Sequence, residues 1–600
     1  LSSIVLPSQL KFIGEQAFYG CKSLYSINIP KYISEIGNRT FEYCENLSSI
    51  VLPSQLKFIG EQAFSGCKSL YSINIPKYIS EIGDRAFEYC YNLAEVYNCS
   101  DYIKDMTIGS DSYGSVAKYA KVIHTDMSEA SNIVRDGDYA MFKDGDECIV
   151  LRYFGDETSL VLPEIATSIN AYAFYENQKI TSVTLGSNIT AIGKDAFNYC
   201  CNLIEVVNKS ELDIQVGNTK YGYVGYYAQK VLTGGEERGE LFNVGDYSFY
   251  KQGGEYVLYR YNGSDKELIL PGFIDDGHTY IIGRNVFANM ADLTKVEIPD
   301  SVTEIRYHAF GGCDGISSIT IPSSVKSMET GAIVCRNLVE VINLSSLDIK
   351  VGDWGNGSVA YYAQKVLTIE DEKGEVFDVG DYSFYKQGGE YILYRYRGSD
   401  KKLILPGLVD GGHTYIIGRE VFENCRVDEV VISDSVTDIG YRAFWCSYEI
   451  ANITIGKNIK TIGEETFYQC KFKKVYYTGN MKSWCEIDFN DYASNPANYT
   501  EKFYIDGVEV GGNINLPDGL TKIKKYTFGK FASLTSITIP SSVIEIEEYA
   551  FSYSNLTSIV MSENVTSIGL RAFEYCKNLV SIVIPKSVKN DWGICILRLF

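Results

Sequence analysis

The chain repeats itself, and a short internal repeat limits the folds that are open to it. Residues 1–46 recur as residues 47–92 with 42 of 46 positions identical, the differences being Tyr19/Ser65, Asn38/Asp84, Thr40/Ala86 and Glu45/Tyr91. The true unit is half as long, because a leucine recurs every 23 residues at Leu1, Leu24, Leu47, Leu70 and Leu93. A unit of this length cannot bury its apolar residues alone, so successive units must stack on one another.

One unit can be interpreted residue by residue. Polar and apolar residues alternate along Ser26-Ile27-Asn28-Ile29, which predicts a short strand with one buried face. Pro30 follows and cannot donate a hydrogen bond to a neighbouring strand, so the strand ends there. Gly37 allows a tight turn, and Phe41 and Cys44, three residues apart, predict a single helical turn.

Stacking of such units predicts a β-rich, α+β solenoid, a right-handed parallel coil of leucine-rich-repeat type with rungs of about 23 residues. Equivalent residues of successive rungs should then lie above one another as ladders. The clearest ladders expected are Phe18, Phe41, Phe64 and Phe87, and Cys21, Cys44, Cys67 and Cys90.

The pattern Ile29-Pro30, Ile36-Gly37 and Ala17-Phe18-x-x-Cys21, with its recurrences 23 residues apart, resembles the BspA-like leucine-rich repeat proteins, a bacterial and protist surface class. Further matches occur at Ala196-Phe197, Ala309-Phe310 and Ala572-Phe573, each followed by cysteine at the same spacing. The resemblance implies a curved solenoid whose parallel sheet lines one face and which is displayed outside the cell for adhesion. It implies no catalytic residues.

A second kind of segment interrupts the array. Residues 245–256 recur identically at 380–391, with a weaker copy from Gly137, and their alternating aromatic residues predict a β-hairpin that turns at Gly253-Gly254. Each array before a hairpin ends in a related stretch, 113–122, 223–231 or 357–366, which we interpret as a short helical cap.

These interruptions predict four blocks joined by β-rich connectors and packed end to end. The predicted blocks are 1–125, 126–233, 234–368 and 369–600, the last with an insert at 476–510 that contains Trp484. Residues 594–600 abandon the repeat, which indicates a truncated or frame-shifted end or, alternatively, an end plug.

The cysteines, histidines and aspartates of the sequence show no pattern that is typical of catalysis or metal binding. There is no C-x-x-C pair among the 16 cysteines, many of which lie at the ladder position, so buried thiols are favoured over a disulfide or metal ladder. The four histidines lack ligand spacing, and Asp-Gly pairs such as Asp136-Gly137 are typical of turns rather than of calcium loops. No catalytic residue, metal site or cofactor is predicted.

The outward positions of the strands are the candidate binding surface. They are small, mostly hydroxyl or amide, and uncharged, which suits a broad protein or glycan surface. The alternative is that serine and threonine merely suit a solvated strand. The candidate residues are Ser26, Asn28, Ser49, Val51, Ser72, Asn74, Ser182, Thr184, Ser318, Thr320, Asn452, Thr454, Ser536 and Thr538.

The sequence therefore favours a non-catalytic recognition scaffold outside the cell that binds a host or extracellular-matrix protein or another cell surface. Alternatives are a carbohydrate-binding accessory protein, with a glycan as ligand, and a structural spacer of the cell envelope. A net charge of −21 argues against nucleic acid as a partner, and without an apolar run of 18 residues no membrane insertion is predicted.

Overall fold

The computed structural model describes residues 3–580 and 582–589, so the predictions for Leu1 and for residues 594–600 lie outside the described residues. The chain divides into two compact units, residues 1–260 and 261–600. In each unit the chain forms a parallel β-solenoid in which a regular rung of about 23 residues adds one strand to each of two sheets. The predicted fold class is thus confirmed, whereas the division into four blocks stays a prediction.

Strands of the first sheet follow the alternation of polar and apolar residues seen in the sequence. Their inward residues, such as Ile27, Ile50 and Ile73, are buried, and several of these strands are followed within two residues by a proline. In residues 1–260 they are Ser3–Ile4, Ser26–Asn28, Ser49–Val51, Ser72–Ile75, Glu95–Asn98, Val122–His124, Ser159–Val161, Ser182–Leu185, Glu205–Asn208 and Lys230–Thr233. In residues 261–600 they are Glu267–Ile269, Lys295–Glu297, Ser318–Ile321, Glu340–Asn343, Lys365–Leu367, Lys402–Ile404, Glu429–Val431, Asn452–Ile455, Phe472–Tyr477, Thr500–Ile505, Val508–Glu509, Gly512–Asn515, Leu534–Thr538 and Ser558–Val560.

Strands of the second sheet are shorter and precede the turn that contains the ladder phenylalanine. In the first unit they are Glu35–Ile36, Phe58–Ile59, Glu81–Ile82, Ser168–Ile169 and Ala191–Ile192. In the second unit they are Tyr280–Ile282, Val302–Ile305, Ser327–Met328, Tyr415–Ile417, Val436–Ile439, Thr461–Ile462, Asp488–Phe489, Lys522–Ile523, Glu545–Ile546 and Ser567–Ile568.

The predicted hairpins are present and are larger than expected. Each is a meander of three strands: Ile133–Asp136, Tyr139–Asp144 and Glu147–Tyr153; Glu240–Val244, Tyr247–Gln252 and Glu255–Tyr261; Glu375–Val379, Tyr382–Gln387 and Glu390–Tyr396. In the third meander the turn is Gly388-Gly389, both with positive φ, as a two-residue hairpin requires. Its last strand pairs in parallel with Tyr415–Ile417, so this meander extends the second sheet.

The third side of each rung is a series of tight turns and not the helical turn that the sequence predicts. Arg39 and Tyr43 have positive φ, which interrupts any helix. Instead of bonding only within the rung, the Phe41 backbone N–H donates to the Ala63 carbonyl of the next rung at 2.8 Å. Spacing of three residues could not separate a helical turn from successive β-turns, since both place residues i and i+3 close together.

The phenylalanine ladder stacks as expected. Ring centroids are 5.2 Å apart between Phe18 and Phe41, 5.3 Å between Phe41 and Phe64, and 5.1 Å between Phe64 and Phe87. The first ring is half-buried and the other three are fully buried. Offset stacking at this distance adds to the burial of apolar area, so the ladder is a major part of the core.

The four cysteines of the ladder are free thiols and form no disulfide bonds. Each buried thiol has a polar role in addition to filling space, because the Sγ of Cys44, Cys67 and Cys90 lies 3.1 to 3.2 Å from the carbonyl oxygen 26 residues earlier. Cys21, in the first rung, is half-buried. Cysteine suits this position because it is small and its S–H group can donate to the carbonyl, whereas a purely apolar residue could not.

The predicted caps contain very little helix. The helix Ser112–Ser115 and the 3₁₀ turns Tyr221–Tyr223 and Asn356–Ser358 all contain glycine with positive φ. A Cβ on Gly114 would lie 2.4 Å from the Gly83 carbonyl oxygen, so the turn fits closely against the last rung. The chain then adds one more parallel strand to the first sheet, for example Val122–His124. Each cap is thus a single turn followed by a strand.

In the first unit the first meander lies alongside the rungs and not only at their end. Arg135 lies over the rings of Tyr71 and Phe154, and the Tyr25 and Phe154 centroids are 5.5 Å apart. Arg152 donates a hydrogen bond to Asn46 Oδ1 at 3.3 Å. These contacts reach back several rungs, so end-to-end packing does not describe this connection fully.

The segment 476–510, predicted as an insert, continues the coil. Phe472–Tyr477 pairs in parallel with Thr500–Ile505, and Asp488–Phe489 pairs with Thr461–Ile462 of the second sheet. The extra residues form the helix Met481–Cys485 and the 3₁₀ turns Tyr492–Ser494 and Pro496–Tyr499. Trp484 on this helix is fully buried and belongs to the same hydrophobic core as the neighbouring rungs, so the segment is an enlarged rung of the coil.

Candidate functional site

Outward residues of the first-sheet strands form continuous rows. Ser26 pairs with Ser49 and Asn28 with Val51 in parallel register, and the same register recurs from rung to rung at roughly 4.8 Å. We call the surface formed by the outward residues of the first-sheet strands the sheet face. It contains all the candidate binding residues of the sequence analysis.

Accessibility of the sheet face changes along the first array. Ser26, Asn28, Ser49 and Val51 are exposed, whereas Ser72 and Asn74 are half-buried. In the next rung the corresponding Glu95 and Tyr97 are buried beneath the segment that leads to the first meander. The accessible part of the face therefore lies toward the first rungs of this array.

Ser182 and Thr184 need correction, because the structure buries both, at 8% and 5% exposure. Arg238, from the segment before the second meander, donates hydrogen bonds to Thr184 Oγ1 and to Ser159 Oγ. The sequence shows an alternating strand but not the later segment that folds across it. These two residues are removed from the candidate surface.

The remaining candidates keep some access to solvent. Thr538 is exposed, and Ser318, Thr320, Asn452, Thr454 and Ser536 are half-buried. Some of their polar groups already have partners within the sheet, since Ser318 Oγ donates to Glu340 Oε1 at 2.9 Å. Whether these residues bind another molecule stays a prediction.

Sequence reasoning missed a set of exposed apolar residues on and beside the sheet face. The first-sheet strand that follows each of the three meanders ends in an exposed β-branched residue. A second exposed apolar residue lies four positions later. We call these the apolar pairs: Val161 and Ile165, Ile269 and Phe273, Ile404 and Leu408. The sequence does contain a signal for these pairs: at each of the three sites a hydrophobic residue directly precedes Leu-Pro and another follows the proline by two positions. Exposed apolar residues that recur at equivalent positions are typical of interaction surfaces.

Charged residues also reach this face in the second unit, which the sequence analysis did not note. Lys295 and Glu297 form an ion pair at 2.6 Å, and Lys402 and Glu429 form another at 2.9 Å. The face is therefore not uniformly uncharged, but its exposed charges are balanced locally.

Three buried glutamates mark the last long rung of an array, and these too were missed. Glu95 accepts from the Asn132 backbone N–H at 2.8 Å and lies 2.9 Å from His124 Nε2. Glu205 and Glu340 each accept from a tyrosine hydroxyl of a meander, Tyr250 at 2.9 Å and Tyr385 at 2.8 Å. The signal is Leu-x-Glu-Val-x-Asn at 93–98, 203–208 and 338–343. The glutamates are structural, since each holds a connector against the end of the sheet face.

Comparison with known proteins places this geometry in a family. A family model described as a BspA type leucine rich repeat region matches residues 1–113, 153–219, 272–388, 413–497 and 509–591, well over half of the chain. The chain belongs to the BspA-type leucine-rich repeat family. The resemblance carried by the phenylalanine and cysteine spacing is thereby confirmed.

Solved structures of the same kind match this BspA-type chain at low identity. A leucine rich cell surface protein from Faecalibacterium prausnitzii is 19% identical, covers 74% of this chain and 95% of its own, and has a TM-score of 0.21. A leucine-rich repeat protein from Eubacterium ventriosum is 18% identical, with 60% and 87% covered and a TM-score of 0.22. One from Bacteroides ovatus is 17% identical, with 79% and 86% covered and a TM-score of 0.15. No curated protein matches the chain.

A BspA-type array is a repeat scaffold for protein interaction, and leucine-rich repeat proteins are in general binding scaffolds without catalysis. Within the described ranges, no group of three or more histidine, cysteine or acidic side chains could hold a metal ion. None of the helices in the part of the chain that the structure describes is both long and apolar enough to cross a membrane.

Proposed function

We propose that this chain is a non-catalytic recognition scaffold, displayed at the cell surface, that adheres to proteins of a host, of the extracellular matrix or of another cell. The observation that carries the proposal is the sheet face with its exposed apolar residues, among them Val51 and Ile404 at 63% and 58% exposure. Apolar groups of this size contribute to affinity when a partner removes them from water.

Repetition supports binding to a large partner rather than to a small molecule. Outward residues lie in register from rung to rung, and some recur, such as Ser26 beside Ser49 and Ser536 beside Ser558, so a partner that fits one rung meets related groups on the next. Many weak contacts on one rigid surface add up, because binding at one makes the others effectively intramolecular.

Binding assays with the full chain test the proposal. The chain is immobilised and exposed to purified collagen, laminin and fibronectin, to a glycan array and to whole cells. We expect binding to at least one protein or cell surface, and we expect Val51→Glu or Ile404→Glu to weaken it roughly tenfold or more, since a charge would be buried without a partner.

Ile544→Glu is the matched control, because Ile544 is 51% exposed but lies outside the sheet face. This variant should bind as the wild type does. Binding that survives both sheet-face variants would contradict the proposed surface. Binding to glycans alone would favour a carbohydrate-binding accessory protein, and no binding at all would favour a structural spacer.

A further inference from the structure

A cavity of about 490 Å³ lies in the unit formed by residues 261–600. Its walls come from the last long rung before the third meander, from the final strand of that meander and from the first turn of the array that follows. Small-molecule sites usually have volumes of roughly 300 to 1,000 Å³, so the cavity has the size of such a site. The residues that matter for its chemistry are Arg336, Tyr362, Tyr394, Arg395, Glu420 and Glu423.

The equivalent place in the first unit is filled by tyrosine rings. Tyr91 stacks on Tyr172 with centroids 4.1 Å apart and lies 5.1 Å from Tyr119, while Tyr172 and Tyr175 are 5.3 Å apart. The shared Leu-x-Glu-Val, Gly-Ser-Val and Phe landmarks align these positions with those of the second unit. Tyr91, Tyr119, Tyr172 and Tyr175 correspond to Arg336, Tyr362, Glu420 and Glu423. The same architecture is thus closed by aromatic residues in one unit and open with charged residues in the other.

Some polar groups in the wall of the cavity are covered by the protein itself. The carboxylate of Glu420 is almost fully covered and interacts with the Tyr361 hydroxyl, and the hydroxyl of Tyr396 is covered as well. A ligand in the cavity would therefore contact other polar groups of the lining, such as Glu423 and Arg336.

Electrostatics at the cavity favour a polar ligand without a large net charge. Burial raises the pKa of Glu420, and the neighbouring Glu423 raises it further, while Arg419 acts in the opposite direction. Burial also raises the pKa of Glu423, against the effect of Arg442 and Arg336. Carboxylates and guanidinium groups are thus interspersed, so neither an anion nor a cation is strongly favoured.

We propose that this cavity binds a neutral monosaccharide or disaccharide. Sugar hydroxyls donate to a carboxylate such as that of Glu423 and accept from guanidinium groups such as those of Arg336 and Arg395. The rings of Tyr362 and Tyr394 provide flat amphipathic surfaces for the apolar face of a pyranose. This site is separate from the sheet face and does not depend on its function.

Saturation-transfer NMR on the full chain tests the proposal. The probes are glucose, galactose, mannose, N-acetylglucosamine, maltose, lactose and cellobiose, each at millimolar concentration, with glycine and glutamate as zwitterionic and acidic comparisons. We expect saturation transfer to at least one sugar and none to the amino acids. Glu423→Gln should weaken binding about tenfold or more, as loss of a charged hydrogen bond predicts.

The filling variant with Glu420→Tyr and Glu423→Tyr copies the tyrosines of the first unit and should abolish the signal. Glu449→Gln, at an exposed glutamate outside the cavity, is the matched control and should bind normally. Circular dichroism verifies folding, and Arg336→Gln replaces the filling variant if that variant unfolds. Absence of transfer to every sugar, transfer to an amino acid in its place, or transfer unchanged in Glu423→Gln would each overturn the proposal.

Discussion

At the scale of single residues, identity and spacing were enough to predict the burial of most ladder phenylalanines. Phe41, Phe64 and Phe87 are buried in a stacked row because each recurs at one place in every rung. The hydrogen bond from each buried ladder thiol to a carbonyl could not be predicted, since it depends on the direction of that carbonyl in the preceding rung. Ser182 shows the converse, because an outward residue becomes buried when a distant segment covers it.

Phe64→Ala should destabilise the first unit by about 3 to 5 kcal/mol, because it removes a fully buried ring with ladder neighbours on both sides. Urea denaturation followed by circular dichroism measures the change. Ser72→Ala, at a partly solvated sheet-face position, is the control and should change stability by less than about 0.5 kcal/mol. Similar losses in the two variants would contradict the ladder as a main source of stability.

Thiol reactivity should separate the exposed cysteine from the ladder. Burial raises the pKa of Cys44 and of Cys200 to about 12, so these groups remain thiols at neutral pH. Cys201 is exposed. We expect Ellman's reagent to modify Cys201 in the native chain and the buried ladder cysteines Cys44, Cys67 and Cys90 only after unfolding, with sites identified by mass spectrometry. Rapid native labelling of Cys67 or Cys90 would contradict the described burial.

At the scale of elements, the sequence predicted strands and hairpins well because alternation and paired glycines are local signals. The caps were wrong in detail, since glycines with positive φ stop the helix after one turn and a parallel strand follows. The covering of the sheet-face ends could not be foreseen, because Glu95 and its partner His124 are 29 residues apart and only the fold brings them together.

Gly114→Ala tests the close fit of the first cap. Both this change and the control Gly109→Ala place a side chain at positive φ, which costs about 1 to 2 kcal/mol. Only at Gly114 does the new Cβ meet neighbouring backbone, whereas nothing lies within 4 Å at Gly109. We expect Gly114→Ala to cost about 1 to 3 kcal/mol more in urea denaturation. Equal costs would show that the cap adjusts freely.

The first connector should become less stable as pH rises. Burial alone lowers the pKa of His124, but hydrogen bonds to Glu95 and Glu129 outweigh it, so the folded pKa lies above the ordinary value of 6.5. A raised folded pKa means that the stabilisation is complete below the unfolded pKa and disappears as pH rises through the folded one.

Urea denaturation from about pH 5 to about pH 9 measures this dependence. The free energy of unfolding of the wild type should fall relative to that of His124→Gln across this range. The other three histidines are common to both proteins and cancel in the comparison. Parallel pH profiles would mean that the imidazole carries no extra proton in the folded chain.

At the scale of the whole molecule, the repeat predicted the fold class, and the acidic charge excluded nucleic acid from the expected partners. Neither could predict where the array is open to a ligand. The stacked tyrosines Tyr91 and Tyr172 of the first unit and the cavity of the second unit have the same place in the repeat and differ in the side chains that occupy it. Whether a cavity forms at this place depends on how side chains of different segments pack together, and the period of the repeat does not determine this.

Stability should vary along the array even where the sequence does not. The ring of Phe18 is half-buried, whereas the ring of Phe64, in a nearly identical rung, is fully buried between the rings of Phe41 and Phe87. Hydrogen exchange by mass spectrometry should therefore show lower protection around Tyr19 than around Ser65, the residue that distinguishes the two peptides. Equal protection would argue against stabilisation by nearest neighbours.

Because of the contacts of the first meander, the loss of a 46-residue repeat should disturb the structure more than the gain of one. Tyr25 and Asn46 both touch this meander, so deletion of 46 residues would remove partners that Arg135 and Arg152 now use. One further duplication ahead of these residues would leave every such partner in place and only lengthen the coil. Unequal crossing-over between the duplicated stretches should for this reason be tolerated mainly in the direction of growth, and natural variants of this chain should differ by added pairs of rungs.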